Sequence, residues 1–171
     1  ENTKLINNRM NLESLYDNTN EVIWDIETVK GNEITFKGRI GLFAQNMLSF
    51  KDNTVSFESG LLGDILLYRT NDLYKDINII NNEFNFNAQT EISVHWINLT
   101  DICMNGHTIY VNNNRINEKY TEPLSKNYAI YFLGMKDTTP QNVYFSNNNL
   151  GSFTNNYGVW NNTTDYNVIE N

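Results

Sequence analysis

Asp25 and Glu27, two residues apart and just after Trp24, are the carboxylate pair best spaced for acid–base work. On a strand that spacing puts both on one face, and glycoside hydrolysis uses carboxyl groups about 5 Å or 6.5–9.5 Å apart. Twenty Asp and Glu among 171 residues make such pairs common, however. The pair alone does not make a glycosidase. The soft metal donors are two histidines, His95 and His107, and one cysteine, Cys103. No two of them stand at the close spacing of a zinc site, and strand histidines are the expected outcome. Cys103 lies in the apolar run Asp101-Ile102-Cys103-Met104, where a buried, inert thiol is expected. G-x-S-x-G, H-E-x-x-H and phosphate-cradling glycine loops are absent from the sequence. Gly60-Leu61-Leu62-Gly63 is too short and too apolar to hold phosphate. Oxygen donors for Ca2+ are abundant, but no D-x-[DN]-x-[DN]-G loop is present, so calcium stays unassigned. No catalytic residue, cofactor or metal is expected.

What remains is binding. The segment Phe153-Thr154-Asn155-Asn156-Tyr157-Gly158-Val159-Trp160-Asn161-Asn162 sets aromatics among amides. A sugar presents apolar C–H faces ringed by hydroxyls, and is met by a flat aromatic platform with groups that both donate and accept hydrogen bonds. Tyr157 and Trp160 with Asn155, Asn156, Asn161 and Asn162 are therefore the candidate ligand-binding residues. Trp160 is equally suited to core packing, and the asparagines to turns. Asn112-Asn113-Asn114-Arg115 is a second polar candidate that also reads as a solvated loop. Trp24 and Trp96 fall in alternating strands and are expected in the core.

The elements that hold these groups are read from composition. There are 32 Asn but only 3 Ala and 2 Pro, which suits turns and pleated surfaces and disfavours a helical protein. The net charge is −8 and the pI is near 4.7. A protein that displaces counterions from phosphates needs a basic face, so nucleic acid is not an expected partner. With a single cysteine no intramolecular disulfide forms. No stretch approaches the roughly 20 apolar residues of a membrane span, and Glu1-Asn2-Thr3-Lys4 does not open a signal peptide.

Residues 3–16 carry the one helical spacing. Leu5, Leu12 and Leu15 fall at a, a and d of a heptad with Asn8 at the intervening d, the pattern of a short coiled-coil stalk whose buried Asn sets register and oligomer state. A lone capping helix is the alternative. From residue 21 the chain turns to short strands, roughly a dozen at 8–12-residue spacing. Phe84, Phe86 and Ala88 alternate with Asn85 and Asn87, one dry face and one wet. Lys51-Asp52-Asn53-Thr54 reads as a hairpin turn, Asn81-Asn82 as a junction, and Asn105-Gly106 as a type I′ turn closing a hairpin over 101–111. No crossover helices and no repeat stand out. The expected fold is all-β: an antiparallel β-sandwich or jelly roll over 21–171, preceded by a short N-terminal coiled-coil helix over 1–20.

Two resemblances follow. The seam Leu5/Asn8/Leu12/Leu15 feeding an Asn-rich β domain resembles the C-terminal part of a bacteriophage tail-fibre or receptor-binding protein. That implies a homotrimer, located at the virion tail, whose head binds a host cell-surface glycan without catalysis or membrane insertion. The run His107-Thr108-Ile109-Tyr110-Val111-Asn112-Asn113, after a strand bearing Trp96, resembles the Y-V-N-G strand of concanavalin-like and laminin-G-like sandwiches, with Asn113 in place of the Gly. That implies a lectin-like carbohydrate-binding module of a bacterial surface or secreted protein. A purely structural virion or fibre part is the remaining alternative.

Overall fold

Alternation of apolar and polar residues at a period of two runs through most of the chain, and in the computed structural model it builds strands from the N-terminal segment onward. The structure describes residues 3–13, 20–22, 26–37, 40–43, 47–58, 64–69, 75–87, 95–100, 105–119, 128–133, 141–149, 151, 157–160 and 166–170. The chain winds in successive coils. The first holds β1 (Lys4–Ile6), β2 (Arg9–Glu13) and β3 (Asn20–Val22). The second holds β4 (Thr28–Lys30), β5 (Glu33–Lys37) and β6 (Ile40–Phe43), and the third β7 (Ser49–Lys51), β8 (Thr54–Phe57) and β9 (Asp64–Arg69). Next come β10 (Ile77–Ile80), β11 (Glu83–Phe86) and β12 (His95–Thr100), then β13 (Thr108–Asn112), β14 (Arg115–Glu118) and β15 (Tyr128–Leu133). The last strands are β16 (Gln141–Ser146), β17 (Tyr157–Trp160) and β18 (Tyr166–Glu170).

Every strand pairs with its counterpart one coil away, always parallel. Three sheets result. Sheet A has the order β1-β4-β7-β10-β13-β16-β18, sheet B has β14-β11-β8-β5-β2, and sheet C has β17-β15-β12-β9-β6-β3. The architecture is a parallel β-solenoid. Its interior is built from register rows. Val29, Phe50, Ile79, Val111 and Phe145 line up across sheet A, and Ile34, Val55, Phe84 and Ile116 across sheet B; all are buried. Phe36, Phe57 and Phe86 form a stack with centroid spacings of 5.4 and 5.0 Å. Each such side chain contributes about 1.5–3 kcal/mol on burial.

The turn between sheets A and B is the same in each coil. A residue with positive φ comes first: Asn7, Gly31, Asp52, Asn81, Asn113 and Asn147. An asparagine follows: Asn8, Asn32, Asn53, Asn82, Asn114 and Asn148. Asn tolerates the left-handed region better than other non-glycine residues, which explains the first choice. The second is explained by hydrogen bonds. Asn53 donates from its backbone N–H and from Nδ2 to Asn82 Oδ1, at 3.0 and 3.1 Å, and also from Nδ2 to the Val29 carbonyl at 3.0 Å. Asn32, Asn82 and Asn114 repeat the arrangement. Gly31 has φ +66, and a Cβ there would meet Asn7 Oδ1. Gly31→Ala is expected to cost about 1–2 kcal/mol, read as a lowered urea midpoint at unchanged m-value.

Several sequence expectations are corrected. The N-terminal helix with its seam is not formed: Leu5 lies in β1, Leu12 in β2, Asn8 in the turn ladder, and Leu15 falls outside the described residues. Asn7 at φ 55 interrupts a helix there, while Met10 and Leu12 alternate with Arg9, Asn11 and Glu13 and turn half-buried faces inward. Short helices are marginal by themselves, so pairing of β1 with β4 and β2 with β5 prevails. β1 therefore lies in sheet A and β2 in sheet B, each beside a strand of the following coil. An antiparallel sandwich or jelly roll is overturned by the uniformly parallel pairing. So are the hairpins. β7 and β8 flank Asp52-Asn53 but belong to different sheets, as do β12 and β13 around Asn105-Gly106. Parallel strands need a long connection, and here the rest of the coil supplies it in place of a helix.

Candidate functional site

Outward side chains are the ones left for chemistry once the inward rows are filled. On sheet B they are mostly engaged with one another. Arg115 Nε donates to Asn117 Oδ1 at 2.6 Å, and Asn117 Nδ2 donates to Glu83 Oε1 and Asn85 Oδ1 at 2.7 and 2.8 Å. Arg9 pairs with Glu33 at 3.2 Å. That face is polar throughout and carries no aromatic residue among its described positions.

Sheet A is different. Its outward register line runs Lys4, Thr28, Ser49, Asn78, Tyr110, Tyr144, and Tyr144 is paired in turn with Ile169 of β18. Parallel in-register pairing puts Tyr144 directly beside Tyr110, and the rings stack with centroids 5.7 Å apart and planes 17° from parallel. Both are half-buried. Small side chains precede them, so the aromatic pair rises beside a shelf of Thr28, Ser49 and Asn78. The adjoining line runs Ile6, Lys30, Lys51, Ile80, Asn112, Ser146, and on the other side Thr108 is in register with Asn142. Ser146 Oγ donates to Asn112 Oδ1 at 2.8 Å. The Tyr pair is thus bracketed by hydroxyls and amides on both flanks. A rigid backbone ladder holds them all.

At the lower edge of this face Asp76 Oδ1 accepts from the Thr108 N–H at 2.9 Å and lies 3.4 Å from His107 Nδ1. Asp76 and His107 thereby anchor the start of β13. Among the described residues no group of three or more His, Cys, Asp or Glu is gathered to hold a metal ion. Nor is any helix long and apolar enough to cross a membrane.

The residues singled out from sequence fall elsewhere. Tyr157 and Trp160 open and close β17 in sheet C, opposite Ile130 and Leu133 of β15. Asn155, Asn156, Asn161 and Asn162 lie outside the described residues, as do Trp24, Asp25 and Cys103. Glu27 meets Lys75 at 3.4 Å. His95 begins β12, paired with Asp64 and Tyr128. Trp96 is fully buried against Phe84 and Phe145, with no partner for its Nε1 among the described residues. The Asn112–Arg115 run divides its work: Asn112 faces outward, Asn113 takes the left-handed position, and Asn114 is a buried ladder residue. Tyr110 and Tyr144 are 34 residues apart, and only knowledge of the coil length brings them together. Comparison of the chain with protein-family models, curated proteins and solved structures gives no match.

Proposed function

We propose that this solenoid is a non-catalytic recognition element that binds a cell-surface glycan across the outer face of sheet A, in a tail appendage or a bacterial surface protein. The observation that carries the reading is the stacked Tyr110–Tyr144 pair, standing outward between Thr108 and Asn142 on one side and Asn112 and Ser146 on the other. An outward aromatic pair is not needed to seal the core, which the inward rows already fill. Its apolar edges suit sugar C–H groups, and the flanking amides and hydroxyls both donate and accept, as sugar hydroxyls require. Backbone pairing pre-orders these groups, which lowers the entropy lost on binding.

A glycan array probed with the folded chain tests it. Tyr110→Ala and Tyr144→Ala are each expected to weaken binding about tenfold. Loss of the cross-strand ring pair costs the fold no more than about 1 kcal/mol. Silence of the folded wild-type chain on the array would favour a purely structural rod. Unchanged binding by both variants would move the site off sheet A.

A further inference from the structure

Lys30 and Lys51 are directly in register on the outward face of sheet A, in the line beside Thr28, Ser49 and Asn78. Like charges on neighbouring strands oppose folding, and one acid serves the two lysines. Lys30 Nζ lies 3.8 Å from Asp52 Oδ2, while Asp52 Oδ1 accepts from Asn81 Nδ2 at 3.1 Å. Lys51 ion-pairs with no described residue. In a chain of net charge −8, a lysine pair in register beside Thr28, Ser49 and Asn78, with Lys4 in register with Thr28 at the far end of the same face, needs another explanation than stability. Two strand spacings of about 4.8 Å separate the strand of Lys51 from that of Tyr110. That is a disaccharide-scale distance along the solenoid axis, bridged by Asn78 and Ile80.

Resting on the glycan reading above, we infer that the ligand is an acidic saccharide laid along the axis over β7, β10, β13 and β16. Its carboxylate sits on Lys51 and Lys30, and a following sugar ring meets Tyr110 and Tyr144. Asp52 limits the site, because it holds Lys30 and repels the incoming anion. Asparagine occupies the equivalent left-handed position in other coils, at Asn7, Asn81, Asn113 and Asn147. Asp52→Asn therefore keeps the turn and removes the competitor.

The test uses a fluorescent oligouronate, its carboxyl-reduced neutral counterpart and an oligoglutamate peptide, titrated at low ionic strength. The oligouronate is expected to bind about three- to tenfold more tightly than the neutral sugar. Lys51→Gln is expected to erase that difference, and Asp52→Asn to widen it about two- to threefold. The preference should also shrink as salt is added. Equal binding of acidic and neutral sugars overturns the inference while the glycan reading stands. So does a preference that survives Lys30→Gln with Lys51→Gln. Oligoglutamate binding as tightly as the oligouronate reduces the site to generic anion attraction and also overturns it. If neither sugar binds the folded chain, the glycan reading falls and this inference with it.

Discussion

Asn82→Ala is expected to lower stability by about 3–5 kcal/mol, a large share of the 5–15 kcal/mol typical of a domain. Asn82 is only 1% exposed and sits mid-ladder. Its Oδ1 accepts from the Asn53 N–H and Nδ2, and its own Nδ2 donates to the Phe50 carbonyl and to Asn114 Oδ1, both within 2.9 Å. Alanine leaves the Asn53 N–H, the Asn53 amide and the Phe50 carbonyl buried and short of partners. Each unsatisfied buried group costs roughly 1–3 kcal/mol. The backbone bond from the Asn82 N–H to Asn114 Oδ1 survives, so the loss is not total. Asn8 is the contrast. It is exposed, its Nδ2 turns back to the Ile6 carbonyl, and its removal leaves fewer dry groups stranded. Asn8→Ala should cost under about 1 kcal/mol, both variants being measured by urea unfolding. Equal losses at the two positions would show that the ladder is not what holds the coils in register.

Phe84→Ala is expected to cost about 3–5 kcal/mol, through lost transfer energy and the cavity left behind. Phe84 is fully buried and joins all three sheets. It stacks on Phe50 of sheet A at 6.0 Å and meets Trp96 of sheet C edge-on at 5.5 Å, while its own strand belongs to sheet B. A backbone ladder on every side limits collapse of the cavity, which keeps the loss near the upper end. Phe84→Leu, which retains most of the volume, should lose appreciably less. A thermal transition that is unmoved in Phe84→Ala would place the core elsewhere.

The ladder was open to reading, had its spacing been regular. Ile6-Asn7-Asn8-Arg9-Met10, Ile80-Asn81-Asn82-Glu83-Phe84 and Asn112-Asn113-Asn114-Arg115-Ile116 share a left-handed residue, an Asn, a polar residue and an inward apolar one. Lys30-Gly31-Asn32-Glu33-Ile34 and Lys51-Asp52-Asn53-Thr54-Val55 vary only before the Asn. The ladder partners lie 24, 21, 29, 32 and 34 residues apart. A solenoid tolerates such variation, because a loop leaving the coil changes its contour and not the strand spacing. With 32 Asn in the chain, the ladder residues do not stand out by type.

From sequence alone follow the all-β class, the dry and wet faces of Glu83–Phe86, and the burial of Trp96. All three depend on side-chain type and a period of two, which are local. Strand direction is not local. A strand with one buried face alternates identically whether its neighbour runs parallel or antiparallel, so Phe84 and Phe86 fit a sandwich and a solenoid equally well. The same holds for Leu5 and Leu12, whose spacing suits a heptad until β4 and β5 take up their hydrogen bonds. Only the closing of each coil on the next decided direction, turned Asn8, Asn32, Asn53, Asn82, Asn114 and Asn148 into one ladder, and set Tyr144 beside Tyr110. Register across a parallel sheet is set by partners a whole coil away, 21 to 34 residues off along the ladder, and no short window of sequence contains it.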